Sequence, residues 1–171
     1  MTAFQVRRLH TFSEQEIDGL ADVLMDVVEG GASVSFMHPF TRDKAIAFWQ
    51  GVANGVDAGE RALVVAEDEQ GICGTAQLML SMPENQPHRA DLAKMLVHRR
   101  ARRRGIGAAV LNAAEDVARA LGKTLLVLDT ASHDAERLYE RGGWIKVGVI
   151  PDYALMPDGT FCDTIVYYRR L

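Results

Sequence analysis

The chain has 171 residues, 48% apolar and 25% charged, and its formal charge of −4 argues against a nucleic-acid binder with a broadly basic surface. That length suits one globular domain over residues 1–171, which can bury roughly 68–70% of its unfolded surface without a disulfide or metal staple. Cys73 and Cys162 lack CxxC spacing, and no stretch approaches the ~20 apolar residues of a membrane span, so secretion, membrane insertion and a metal site give way to a reducing cytoplasm.

Phe4–Leu9 reads as a first strand. Ser13 and Glu16 have capping-box spacing, and Ile17, Leu20, Ala21, Leu24 and Val28 recur at helical intervals until Gly30-Gly31. A second helix follows Pro39-Phe40-Thr41, with Ile46, Trp49, Ala53 and Val56 on one face before Gly59. Arg61–Glu67 and Ile72–Leu80 form strands about an Asp68–Gly71 hairpin turn. Ala90–Val97 is a strand, the Arg-rich segment a turn, and Ile106–Leu121 a helix ended by Gly122. Thr124–Asp129 reads as a buried strand and Asp134–Arg141 as a short helix. Trp144–Ile150 and Phe161–Arg169 are the last strands, joined across Pro151-Asp152-Tyr153 and Pro157-Asp158-Gly159. This order predicts an α/β (α+β) fold, a mixed and mostly antiparallel sheet of about seven strands with helices on both faces.

Arg99–Arg104 holds five arginines in six residues, and removing them takes the formal charge from −4 to −9. Such a focus attracts a compact polyanion. The helix that starts here presents unpaired backbone N–H groups and the positive end of its dipole, and Gly105 and Gly107 let an anion approach the main chain. The P-loop pattern GxxxxGK has no match, and the dinucleotide fingerprint GxGxxG fails because its third glycine falls on Val110. The remaining pattern is Arg or Gln, two residues, Gly, one residue, then Gly or Ala. Arg102-Arg103-Arg104-Gly105-Ile106-Gly107 satisfies it.

On these residues the chain resembles the GNAT superfamily of N-acetyltransferases. The downstream segment Ser132–Trp144 resembles that family's Asn, Ala, Tyr, Gly, Phe segment, with Ser132 where many members have Asn and Trp144 in place of Phe. GGASVSFM at residues 30–37, HRADLAKMLVHRRARRRGIG at 88–107 and LLVLDT at 125–130 look like the tabtoxin-resistance type of acetyltransferase. The resemblance implies a GNAT-like fold, acetyl-CoA as cofactor, and a small amino-acid-like amine as acceptor. It further implies that the amides of residues 102–108, Ala108 included, hold the cofactor's pyrophosphate. Backbone groups of Met95, Leu96 and Val97 would bond its pantetheine arm, with Ser132 and Tyr139 also on the cofactor side. A homodimer is compatible with the sequence and not specified by it. A non-catalytic anion or nucleic-acid module built on Arg99–Arg104 is the alternative reading.

Acetylation needs a neutral amine, and an alkyl ammonium of pKa ~10.4 is only about 0.04% neutral at pH 7, a cost of roughly 4.6 kcal/mol. A carboxylate base, acting through water, meets that need. Asp91, eleven residues before Arg102, stands where histone-type members of the family carry a catalytic Glu, and Asp129 ends the neighbouring strand. Each has a plain alternative: a solvated strand-start residue for Asp91, a helix cap for Asp129. The resemblance makes Tyr139 the acid that protonates the departing thiolate; its alternative is a core aromatic. Ser33, Ser35, Phe36 and Met37, in a Gly-flanked loop, are expected to line the acceptor pocket with His88 and Tyr153. His98 and His133 are expected to face solvent.

Overall fold

The computed structural model describes residues 3–171. The chain runs β1 (Gln5–Leu9), α1 (Glu14–Glu29), α2 (Arg42–Asp57), β2 (Arg61–Asp68), β3 (Gly71–Met79), β4 (Arg89–Val97), α3 (Ile106–Ala120), β5 (Leu125–Thr130), α4 (His133–Arg141), β6 (Ile145–Leu155) and β7 (Phe161–Arg170). The capping box starts α1: the Ser13 N–H donates to Glu16 Oε2 at 2.7 Å and the Glu16 N–H to Ser13 Oγ at 3.2 Å. The seven strands form one sheet in the order β1-β2-β3-β4-β5-β7-β6. β4 and β5 are parallel, and the other five neighbouring pairs are antiparallel.

Strand alternation sends residues to opposite faces, and each face is closed by two helices. Leu63, Val65 and Ile72 pack on α1 and α2 around the fully buried Trp49. Ala62, Val64, Leu78, Ala90, Leu92, Leu126 and Leu128 pack on Ile106, Val110, Leu111 and Ala114 of α3 and Tyr139 of α4. Strand β5 is thus buried on one face, not both as its apolar run suggests, because α1 and α2 do not reach over it.

Two local expectations are corrected. Pro151-Asp152-Tyr153 does not connect strands but lies within β6, where the register with β7 shifts between Ile150 and Ala154. Asp152 sits at φ +52°, its N–H donating to Asp163 Oδ1 at 3.0 Å, and a proline is tolerated because β6 is a sheet edge. His98 is not a free surface group: its Nδ1 accepts from the Arg100 N–H at 3.1 Å and caps a 3₁₀ turn over Arg99–Ala101. Among the described residues no helix is long and apolar enough to cross a membrane.

The buried carboxylate of Glu115 ties three elements together. It accepts from Trp144 Nε1 at 2.9 Å and from Arg169 Nε at 3.0 Å, joining α3 to the start of β6 and the end of β7. Removing one partner of a buried charged pair strands the others. Glu115→Ala is expected to cost about 3 kcal/mol of unfolding free energy, read from the urea midpoint at unchanged slope.

Candidate active site

Strands β4 and β5 pair only over Arg89–Asp91 against Leu125–Val127, although both continue beyond that point. The far edge of β4 stays bonded to β3, with an irregularity: Gln77 faces Ala93 and Thr75 faces Leu96, so Lys94 and Met95 together oppose Ala76. Lys94 adopts φ +49° at this bulge. The bulge turns the strand over. Ala90 and Leu92 face α3, whereas Leu96 faces α1 and α2, and Met95 and Val97 take over the α3 side. A wedge opens between the strands, edged by main-chain groups of Met95–Val97 that β5 does not pair.

At the wide end of this wedge stands the N-terminus of α3. Gly105, at φ +81°, is its N-cap, and no side chain caps the amides of Ile106, Gly107 and Ala108. Gly105 is needed for its backbone conformation. At Gly107 a Cβ would lie 3.4 Å from Leu138 and 3.6 Å from Met95, ordinary van der Waals contact, so the packing does not demand a glycine there. Uncapped helix amides beside an open strand edge fit a diphosphate carried on an extended arm.

The five arginines are not one free cluster. Arg99 binds Asp26, from its main-chain N–H at 2.8 Å and its Nε at 2.7 Å. Arg100 reaches both carboxylate oxygens of Asp68, at 2.9 and 2.8 Å, and Arg104 reaches Asp68 at 2.8 Å. These pairs pin the turn to α1 and β2. Arg102 and Arg103 are exposed, form no ion pair among the described residues, and remain available to an anion. The alternative of a five-arginine polyanion grip loses three of its five cations to carboxylates.

Asp129 is exposed at the end of β5, and its Oδ2 accepts from the buried Thr164 hydroxyl at 2.7 Å. It does not cap α4; Ser132 does, its Oγ accepting from the Ala135 N–H at 3.3 Å. The cap uses one acceptor site of the Ser132 hydroxyl and leaves its O–H free to donate. Asp91 is half-buried beside Arg89, and burial pushes its carboxyl above the usual range; the Arg89 guanidinium opposes this and Asp129 adds to it. Tyr139 is buried, packs on Trp144 and Tyr167 with centroids 5.8 Å apart, and is held protonated by burial and by the Asp129 charge. The charge of Asp129 thus reaches both Asp91 and Tyr139.

The loop between α1 and α2 lies against Lys94. Ser33 donates to the Leu155 carbonyl at 3.0 Å and the His38 N–H to the Pro157 carbonyl at 3.0 Å, tying the loop to the β6–β7 hairpin. Ser33 is therefore a strut, while Ser35 and Phe36 face Lys94. Met37 is exposed. His88 precedes the paired end of β4, where its carbonyl accepts from the Thr124 N–H, and Tyr153 projects exposed from β6, two residues before the Leu155 that holds Ser33. Lys94 is the residue that strand reading missed. Its signal was a charge in phase with Ala90, Leu92 and Leu96. Among the described residues no group of three or more His, Cys, Asp or Glu is placed to hold a metal ion.

The model of the Acetyltransferase (GNAT) family matches residues 26–144. An uncharacterized N-acetyltransferase encoded in the hisH-hisA intergenic region of Azospirillum brasilense is 32% identical over 131 residues, 75% of this chain and 76% of that one. Among solved structures, an N-acetyltransferase from Staphylococcus aureus Mu50 superposes with a TM-score of 0.81 at 17% identity, over 99% of both chains. A Salmonella typhimurium protein proposed to be an acetyltransferase, solved with its cofactor acetyl-CoA, gives 0.79 at 18% identity over 99% of this chain and 94% of that one.

Asp68 gives a pH test of the turn. Burial opposes its charge, but Arg100 and Arg104 hold its carboxyl down to about 2 from an ordinary 3.8. The folded value lies below the unfolded one, so the stabilisation is complete above about pH 4 and is lost as pH falls toward 2. Asp68→Asn is expected to melt below wild type at pH 7, with the gap closing by pH 2.

Proposed function

This chain belongs to the GNAT family of acetyltransferases, and from that premise we propose that it moves an acetyl group from acetyl-CoA directly to the primary amine of a small, amino-acid-like molecule. The observation that carries the reading is the uncapped, glycine-started α3 opening onto the unpaired edge of β4. The amides of Ile106–Ala108 would hold the diphosphate, with Arg102 and Arg103 adding charge, and the Met95–Val97 edge would hold the extended arm. Bound acetyl-CoA supplies an acetyl group activated as a thioester.

This chain's residues supply the proton traffic. Asp129, solvent-exposed and anchored by Thr164, is the better-placed base for an ammonium, taking its proton through water. Asp91, pushed up by burial, shares the negative field that draws the cation in. Tyr139 stays protonated and so keeps a proton to give to a departing thiolate. Resemblance at residues 30–37, 88–107 and 125–130 supports the tabtoxin-resistance type, hence detoxification of an amino-acid-like toxin or antibiotic. Two free cysteines support a cytoplasmic location, and one continuous sheet supports a single catalytic domain over 1–171.

Acetyl-CoA is expected to raise the melting temperature of the wild type and to drive thiol release with an amine panel. Gly105→Val, forced into a left-handed backbone, is expected to lose the melting shift; an unchanged shift would count against the α3 site. Tyr139→Phe is expected to keep the shift and turn over about a hundredfold more slowly.

The β6 edge exposes Ile145, Val147, Val149, Ile150 and Leu155, with Phe161 across the hairpin. An apolar edge strand of this kind is covered in stable proteins, and a second copy of this chain fits the self-complementary geometry. Sedimentation is expected to show a dimer that Val147→Lys with Phe161→Lys returns to monomer. A monomeric wild type rules out this contact.

A further inference from the structure

Lys94 stands in the wedge without a carboxylate to match it. Its ammonium donates to Ser35 Oγ at 2.9 Å and lies 5.6 Å from the centroid of Phe48 and 6.0 Å from that of Phe36. Among the described residues no acidic group comes within ion-pair distance of it, although surface arginines all round the molecule have found such partners. Its position is costly in two ways. The backbone is left-handed at a residue that is not glycine, and burial pushes the ammonium below its ordinary value, with the Arg61 charge acting in the same direction and Asp129 against it. A half-buried cation held at a strained bulge, stacked on aromatic rings, with a second cation nearby, is an anion subsite that the protein's own carboxylates leave open.

The charges on either side complete a pattern. Asp129 and Asp91 make one end of the wedge negative, while Lys94 and Arg61 make the adjoining region positive, and the field of Asp129 reaches Lys94. A small dipolar molecule placed there meets a carboxylate with its ammonium and an ammonium with its carboxylate. Phe36 and Phe48 supply apolar walls for its side chain.

We infer that Lys94 holds the carboxylate of the acceptor, which makes free α-amino acids, and not simple amines, the substrate class. This rests on the transferase reading above and deepens it. Lys94 is then a specificity-determining residue: it anchors the end of the molecule that does not react and turns the amine toward Asp129. The Ser35 hydroxyl holds Lys94 from the loop side, which explains why that loop is tied down through Ser33 and His38.

The test compares each standard amino acid with its own amide as acceptor, measuring kcat and KM by thiol release from acetyl-CoA. The wild type is expected to favour the acid over its amide by about thirtyfold or more in kcat/KM, mostly in KM, the scale for a desolvated charge pair. Lys94→Met is expected to bring that ratio close to one, and Lys94→Arg to restore part of it. The acetyl-CoA melting shift, read in both variants, reports that each is folded and binds cofactor. Equal use of acid and amide by the wild type, or a preference that survives Lys94→Met, overturns the inference. Acetylation of polyamines but of no amino acid also overturns it and leaves the transferase reading standing. Absence of any acetyl-CoA shift in the wild type overturns both.

Discussion

Everything at the site depends on β4 leaving β5 after Asp91. A parallel pair normally continues its ladder as far as both strands run, because each unpaired N–H or C=O must otherwise find water or a ligand. Here the extra residue at Lys94-Met95 bends β4 away while β3 holds its other edge, and the ladder stops after three pairs. The same event does three things. It frees the Met95–Val97 edge, it turns Lys94 into the wedge, and it sets Asp91 and Asp129 on strands that are bonded at one end and apart at the other. Pairing at Asp91–Val127 keeps the two carboxylates close, so their mutual field is a consequence of the sheet.

A wedge of this kind needs a rigid rim, and the charges provide it. Asp68 lies almost wholly buried under Arg100 and Arg104, and Asp26 under Arg99, so the turn from β4 to α3 is held from β2 on one side and from α1 on the other. Buried carboxylates with two or more guanidinium or amide donors keep their charge and geometry together. The arginines that pin the turn and the exposed Arg102 and Arg103 therefore differ in their surroundings, though they are neighbours in sequence. Across the wedge, the α1–α2 loop is bonded to the β6–β7 hairpin, which lies outside the segment matched by the family model. The α1–α2 loop thus falls within the matched residues 26–144, and the hairpin that braces it does not.

Much of this was legible in the chain itself. Local rules carried it: the capping box at Ser13, the glycine stops at Gly30-Gly31 and Gly122, the hairpin turn after Asp68, and the Arg and Gly turn before Ile106 all act over a few residues. Asp129 at the end of β5 and Tyr139 on α4 also stand out in the chain, the second on its resemblance to the family segment, and the structure puts Tyr139 within the field of Asp129. Other features were not legible, and for one reason. The pairing of Arg99, Arg100 and Arg104 depends on Asp26 and Asp68, which lie 73, 32 and 36 residues away. The edge position of β6, which lets Pro151 stay inside a strand, is a property of sheet order and not of residues 145–155.

By itself the sequence determined the element order, the two apolar faces of the sheet and the helix that starts at a glycine, because periodicity, capping and turn chemistry are short-range. Only the tertiary structure decided which arginines are spent on carboxylates, that Ser132 caps a helix and Ser33 braces a loop, and that Lys94 enters the wedge. A one-residue bulge reverses which face every later side chain takes, and partners separated by tens of residues meet only once the sheet has closed.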